Sequence, residues 1–339
     1  MVTIKDIAKK AKVSTSTVSH VINDTHYVSD GLKNRILKAM EEHDYHPNLI
    51  ARSLRSKKTN TIGVILPEIS DLFLSELARR IELLLAKKGY QMIISNSEDN
   101  VFKELESIRT LYKKMVDGIL MLPTPGTKIN IKELKKQNIP VIFIDREIPY
   151  IKTDTVKVDN AKGCYIATEY LIGLGHKKIC YISKGSDTST SIERETGFRK
   201  ALNDYGIEVK SEYILKAGGR KYEDSFEAVR HLLNNNKSRP TAIIAEDDIM
   251  AIGAIRAVND FSLKIPEDMS VMGFDDNMID GFLVPRLSTV KYPIEEMSEM
   301  VVKILTEKIM NDKNEFENTK RIVLEPELVI RESTAGIIR

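Results

Sequence analysis

"TIKDIAKKAKVSTSTVSHVIN", residues 3–23, carries two apolar stripes at helical spacing and, in its second half, a dense run of hydroxyl side chains. Ile4, Ile7, Ala8 and Ala11 share one face of a first helix, and Thr3 with Asp6 forms a capping box at its start, Asp replacing the usual Glu. After the break "AKV", Ser14 is placed to cap a second helix whose Val18, Val21 and Ile22 turn inward at i, i+3, i+4. Thr15, Ser16, Thr17, Ser19 and His20 are left on the other faces. Helix interiors avoid such a run, because short hydroxyls compete for the backbone's hydrogen bonds. A third helix is expected from about Ser29, with Leu32, Ile36 and Met40 at four-residue steps and Pro47 stopping it. Two short helices across a tight turn, backed by a third, make a helix-turn-helix unit. Hydroxyls and an imidazole at the start of its second helix can reach base edges and phosphates without filling a major groove. The plainer alternative is a solvated polar face.

Charge is spread unevenly over the 339 residues. Residues 1–58 hold eleven Lys/Arg against six Asp/Glu, while the whole chain carries only +2, so the remainder is mildly acidic. Four of the six histidines, His20, His26, His43 and His46, lie in the same basic segment. That asymmetry suits an electrostatic grip on nucleic acid. "HDYH" (43–46) has a spacing that could suggest a metal, but Pro47 follows at once and no metal is expected. In "HPNLIARSLRSKKT" (46–59), Asn48 could cap a short helix carrying Leu49, Ile50, Ala51 and Leu54 among Arg52, Arg55, Lys57 and Lys58. Such a helix is too short to be stable alone in water. A wedge in a DNA minor groove, flanked by cations on phosphates, would satisfy both its leucines and its charges; an interdomain linker packed on its neighbour is the alternative.

Composition bounds the rest. Hydrophobic residues make up 42% and charged residues 29%, ordinary values for a soluble globular protein with room for two or three domains. No run approaches the roughly 18 apolar residues of a membrane span, and the N-terminus lacks a signal-peptide pattern, so a cytoplasmic protein is expected. Cys164 and Cys180 stand far apart and suggest neither a disulfide framework nor a zinc site.

From residue 61 short β-branched runs alternate with longer helical patterns: "TIGVILP", "QMIISNS", "DGILMLP" and "PVIFIDR", then "KICYIS", "TAIIAEDD" and "MSVMGFDD". Such runs describe parallel sheets covered on both faces, and their repetition around Asp159–Lys162 predicts two doubly wound subdomains, with "RLSTVKYP" (286–293) extended between them. Ligands of these sheets bind beyond the carboxyl ends of the strands. The polar residues there are Asp145 and Arg146, Asp247 and Asp248, and Asp275 and Asp276, with Arg194 just inside a helix and Phe73 offering an apolar face. Carboxylates and an Arg suit a polyhydroxylated ligand. Helix capping is the alternative role for Asp248 and Asp276, and His176 follows a helix end marked by Gly175. An enzyme is the rival class, but G-x-G-x-x-G after a strand, G-x-x-x-x-G-K-[ST], G-x-S-x-G and H-E-x-x-H are all missing. No cofactor is expected.

"TIKDIAKKAKVSTSTVSHVIN", "YHPNLIARSLRSKKTNTIGVILPEIS" and the ending "ELVIRES" resemble the lactose-repressor (LacI) family of bacterial transcription regulators, the headpiece most of all its purine- and ribose-repressor branch. The resemblance implies an all-α helix-turn-helix headpiece (1–47) and a hinge helix with linker (48–59). Two α/β doubly wound, periplasmic-binding-protein-like subdomains follow, 60–160 with 291–322 and 161–290 with 323–339, the chain crossing three times between them. It implies a homodimer on a palindromic double-stranded DNA operator, Leu54 standing where the family intercalates a leucine. The DNA-contacting set is then Thr3, Thr15, Ser16, Thr17, His20 and Asn23 with Ala51, Leu54 and Arg55. Asp71-Leu72-Phe73-Leu74 matches a pocket segment that usually reads Asn-Pro-Phe-Phe, and Asp145, Arg194, Asp247 and Asp275 match effector-contacting positions. Asp247 stands where Asn is common and Arg220 where an aromatic is often found, which counts against a flat purine. The effector set is thus Asp71, Phe73, Asp145, Arg146, Arg194, Arg220, Asp247 and Asp275, for a sugar or sugar derivative; control by a phosphorylated partner protein, as in one branch, is the alternative.

Overall fold

Thr3 opens helix α1 (Ile4–Lys10) by donating both its backbone N–H and its hydroxyl to Asp6 Oδ2, at 2.9 and 2.7 Å. Lys12 then takes a left-handed conformation (φ 50°), with Val13 N–H bonded to Ala8 O and Lys12 N–H to Lys9 O, so the turn satisfies the helix's last carbonyls. Ser14 caps α2 (Thr15–Asn23), its Oγ accepting from Thr17 N–H at 3.1 Å. Helix α3 (Asp30–Glu42) ends in the same way as α1: Asp44 is left-handed (φ 47°), Tyr45 N–H reaches Met40 O and Asp44 N–H reaches Glu41 O. The third helix therefore stops at Glu42 through this turn, ahead of Pro47, which the sequence had given that role. Ile7, Val18 and Ile36 are fully buried where the three helices meet, each stabilising the unit by about 1.5–3 kcal/mol.

The computed structural model describes residues 2–23, 26–45, 58–126, 130, 133–134, 139–219, 222–235, 239–311 and 319–337. Pro47, the expected hinge helix with Ala51, Leu54 and Arg55, and Arg220 lie outside the described residues. The chain divides into two compact units, Met1–Thr59 and Asn60–Arg339.

All seven apolar runs form strands of the second unit. The first sheet contains β1 (Thr61–Leu66), β2 (Gln91–Asn96), β3 (Gly118–Met121), β4 (Val141–Ile144), β5 (Asp154–Val158) and β11 (Arg321–Leu324), in the order β11-β5-β4-β3-β1-β2, every pair parallel. The second contains β6 (Ile179–Ser183), β7 (Ile214–Lys216), β8 (Ala242–Ala245) and β9 (Ser270–Met272), also parallel, in the order β7-β6-β8-β9. A two-stranded antiparallel ribbon joins β10 (Thr289–Lys291) to β12 (Glu327–Val329). The chain passes between the sheets three times: between Val158 and Ile179, between Lys291 and Arg321, and between Leu324 and Glu327. β11 is whole within the first sheet, so that sheet extends two residues past the expected division after residue 322.

Helices cover both faces. α4 (Leu72–Lys87) and α10 (Ile294–Asn311) pack on one side of the first sheet, burying Leu77, Ile81, Val301 and Leu305, and α5 (Val101–Lys113) packs on the other through Ile108 and Leu111. The second sheet lies between α6 (Asn160–Gly173) with α7 (Ser189–Asp204) and α8 (Tyr222–Asn235) with α9 (Asp248–Asp260). Contact between α6 and α7 is close enough that a Cβ at Gly197 would stand 2.0 Å from Ala161 O, which only glycine allows. As expected, Gly175 (φ 94°) turns the chain after α6, and His176 N–H closes the turn on Leu171 O. Cys164 and Cys180 are free and buried.

Candidate effector cleft and DNA-reading face

Both parallel sheets reverse their strand order next to their first strand, between β1 and β3 and between β6 and β8, and the chain leaving β1, β3, β4, β6 and β9 lines one cleft. It is concave and open to solvent. Asp71, Phe73, Asp145, Arg146, Arg194 and Asp275, six of the eight expected effector residues, line it together. Asp145 follows β4 and Asp275 follows β9, and both hold left-handed backbones (φ 60° and 117°), as does Asp276 (φ 60°). Non-glycine residues in this region cost about 1–3 kcal/mol each and persist where the surrounding structure holds them.

Arg194 sits at the base of the cleft. Its Nε donates to Asn160 Oδ1 (2.8 Å), one amino group donates to Glu246 O, and the other reaches Tyr292 Oη (2.8 Å) and Asp275 Oδ1 (3.3 Å). The guanidinium carbon lies 3.8 Å from the centre of the Phe274 ring. Burial works against its charge, but the polar and acidic groups around it outweigh that and hold the group firmly protonated. Burial also pushes the Tyr292 phenol well up, so its one proton stays on and is available to Asn160 Oδ1 at 2.6 Å or Asp145 Oδ1 at 3.1 Å. Asp275 is raised well above the usual carboxylate range by burial and by the nearby Asp248 and Asp247, against the pull of Arg194.

Asp247 stands behind the lining. It caps α9 by accepting Met250 N–H at 2.8 Å and pairs with Lys184 Nζ at 2.8 Å; although burial opposes its charge, Lys184 brings its carboxyl below the usual range. The capping role considered for Asp248 thus falls one residue earlier. Asp248 instead accepts from Asn277 N–H, Asn277 Nδ2 and the Thr289 hydroxyl, and Asp276 pairs with Arg331 at 2.5 Å. His176 is buried, bonded to Thr241 Oγ1 and Ala335 O through its two ring nitrogens. Lys184, Thr188 and Thr190 also line the cleft and were not expected. Lys184 directly follows "KICYIS", so the same strand-end reasoning that found Asp145 would have found it.

In the first unit, Thr15 and Ser16 are exposed at the start of α2, and Thr17 and His20 are half-buried beside them. Ser14 Oγ lies 2.7 Å from Ser16 Oγ and 2.8 Å from Thr17 Oγ1, so the cap also fixes the first hydroxyls of the face. The His20 and His26 rings lie 4.3 Å apart, and Tyr27 is 93% exposed. Thr3 has its hydroxyl proton committed to Asp6. Among the described residues, no group of three or more His, Cys, Asp or Glu side chains could hold a metal ion, and no helix is long and apolar enough to cross a membrane.

Residues 3–48 match the bacterial regulatory proteins of the lacI family, and residues 168–334 match a periplasmic binding protein-like domain. The HTH-type transcriptional regulator RegA of Clostridium saccharobutylicum is 35% identical over 336 residues, 98% of each chain. Catabolite control protein A of Priestia megaterium is 34% identical over 334 residues, 98% of this chain and 99% of its own. The solved complex of the transcriptional regulator CelR with cellobiose covers 98% of this chain and 100% of its own, at 26% identity and a TM-score of 0.73. With its helix-turn-helix headpiece and two periplasmic-binding-like α/β domains, this chain belongs to the LacI family of bacterial DNA-binding transcription regulators that respond to small-molecule effectors.

Proposed function

We propose that the chain acts in the cytoplasm as a homodimeric repressor of a metabolic operon, and that a sugar or sugar derivative in the cleft controls its grip on a palindromic operator. The Arg194 network carries the effector half. A guanidinium already oriented by Asn160, Tyr292 and Asp275, with Asp71 and Asp145 presenting acceptors and Phe73 an apolar face, matches the alternating hydroxyls and C–H faces of a sugar. The cellobiose held by CelR supports that class of ligand. The homodimer is supported by an apolar surface on and after the 3-10 turn Met278–Phe282, where Met278, Phe282 and Val284 are 88, 80 and 91% exposed. Thr15, Ser16 and His20 are the proposed base readers.

Operator titration with and without each of a panel of sugars tests this reading. One sugar should change affinity by about 5–150-fold, the usual range of allosteric coupling. His20→Ala should relax preference at one operator position by about 1–3 kcal/mol. A protein whose operator affinity no sugar moves is not regulated in this way.

A further inference from the structure

Resting on the cleft as a polyol site, its charge arrangement narrows the ligand further. Three cations reach the cleft, and each already has a carboxylate partner: Arg146 with Asp99 at 2.5 Å, Lys184 with Asp247 at 2.8 Å, and Arg194 with Asp275 at 3.3 Å. Two further lining carboxylates, Asp71 and Asp145, form no ion pair among the described residues. Asp71 Oδ1 accepts Leu74 N–H at 3.1 Å, and Asp145 Oδ1 lies against the Tyr292 hydroxyl. Asp99 and Asp247 stand behind the lining and offset Arg146 and Lys184, so Asp71 and Asp145 leave the cleft with an excess of negative charge.

An ionised carboxylate only accepts hydrogen bonds, so hydroxyl and ammonium groups answer it and a phosphate does not. A phosphorylated ligand would have to draw Arg146 or Lys184 from its carboxylate, or Arg194 from its acceptors on Asn160, Glu246 and Tyr292, while sitting close to two negative groups in a partly dehydrated space. We infer that the cleft takes a neutral or amine-bearing polyhydroxylated molecule, and that Asp71 and Asp145 are the specificity-determining residues that exclude phosphorylated sugars.

The test is calorimetric titration of the full-length protein with matched sets at neutral pH: glucose, glucosamine and glucose 6-phosphate; galactose, galactosamine and galactose 6-phosphate; and ribose with ribose 5-phosphate. The neutral or amino form of at least one sugar should bind, its phosphate at least about 100-fold more weakly, as like-charge juxtaposition demands. Asp145→Asn and Asp71→Asn keep the shape, and the latter keeps the α4 cap; each should shrink that discrimination by about 10-fold or more. A phosphate that binds as well as its parent sugar overturns this inference and leaves the sugar reading standing. Binding by no member of the sets removes the sugar reading itself, and the charge selectivity with it.

Discussion

Lys157 and Glu193 are joined by an ion pair between the two sheets: Lys157 rises from β5 of the first, and Glu193 lies on α7 beside the second, one residue before Arg194. Lys157 is almost fully buried and also meets Glu147 at 3.1 Å, which Arg321 pairs from β11. Glu147 N–H donates to Ser189 Oγ on α7 at 3.0 Å. The pair thus fastens the helix that carries Arg194 to the opposite wall of the cleft.

Glu193→Gln keeps the shape of that fastening and removes its charge. The sheets should separate more readily, seen as a larger radius of gyration in small-angle scattering without effector, and basal operator affinity should shift by up to about 150-fold. Burial raises the Glu193 carboxyl even beside Lys157, so acidification should protonate it early and bring the wild type toward the variant. Equal scattering and equal basal affinity would show that the pair holds nothing shut.

Arg194→Ala should do more than abolish the effector response. It leaves Asp275, Asn160 and Tyr292 buried without their donor, at about 3–5 kcal/mol by urea unfolding. Arg194→Lys retains the charge but not the fork that serves four acceptors at once, and should recover only part of that loss. A variant as stable as wild type would mean that Arg194 is no brace.

Phe282→Glu places a charge in the apolar surface proposed to meet a second copy. Sedimentation velocity should show monomers at concentrations where the wild type is dimeric, and operator affinity should fall by about 2 kcal/mol or more. Dimers of undiminished strength would place the interface elsewhere.

Asp280 is fully buried, has no hydrogen-bond donor among the described residues, and lies against Asp248; burial pushes its carboxyl up to about 6 from 3.8. Folding therefore favours its protonated form, so its contribution to stability is complete below 3.8 and is lost as pH rises through about 6. Asp280→Asn, whose amide can donate to Asp248, should raise the melting temperature at about pH 8, and the gain should vanish at about pH 4. A gain of the same size at both would assign the effect to packing.

The seven strands legible in the sequence are those built around an uncharged, largely apolar run. β5 escaped because it reads Asp-Thr-Val-Lys-Val, although all five residues are buried: Asp154 is paired with Lys308, and Lys157 with the two glutamates, so its charges are hidden by partners distant in the chain. The cleft was legible to the extent that strand ends announce it. Asp145, Arg146 and Asp275 follow apolar runs directly, whereas Asn160 and Tyr292 show their place only once the chain has crossed between the sheets. The end of α3 was misread because a left-handed Asp44 carries no signal comparable to Pro47.

Asp145 and Asp275 stand just past the last residues of β4 and β9, whose apolar side chains below them make the core. In the effector site proposed above, substitutions at these tips change what the molecule detects, while those a few residues earlier change whether it folds. A duplicated copy of such a gene could drift to a new signal through its strand tips alone, keeping its scaffold and its DNA target, and the two traits would be inherited separately.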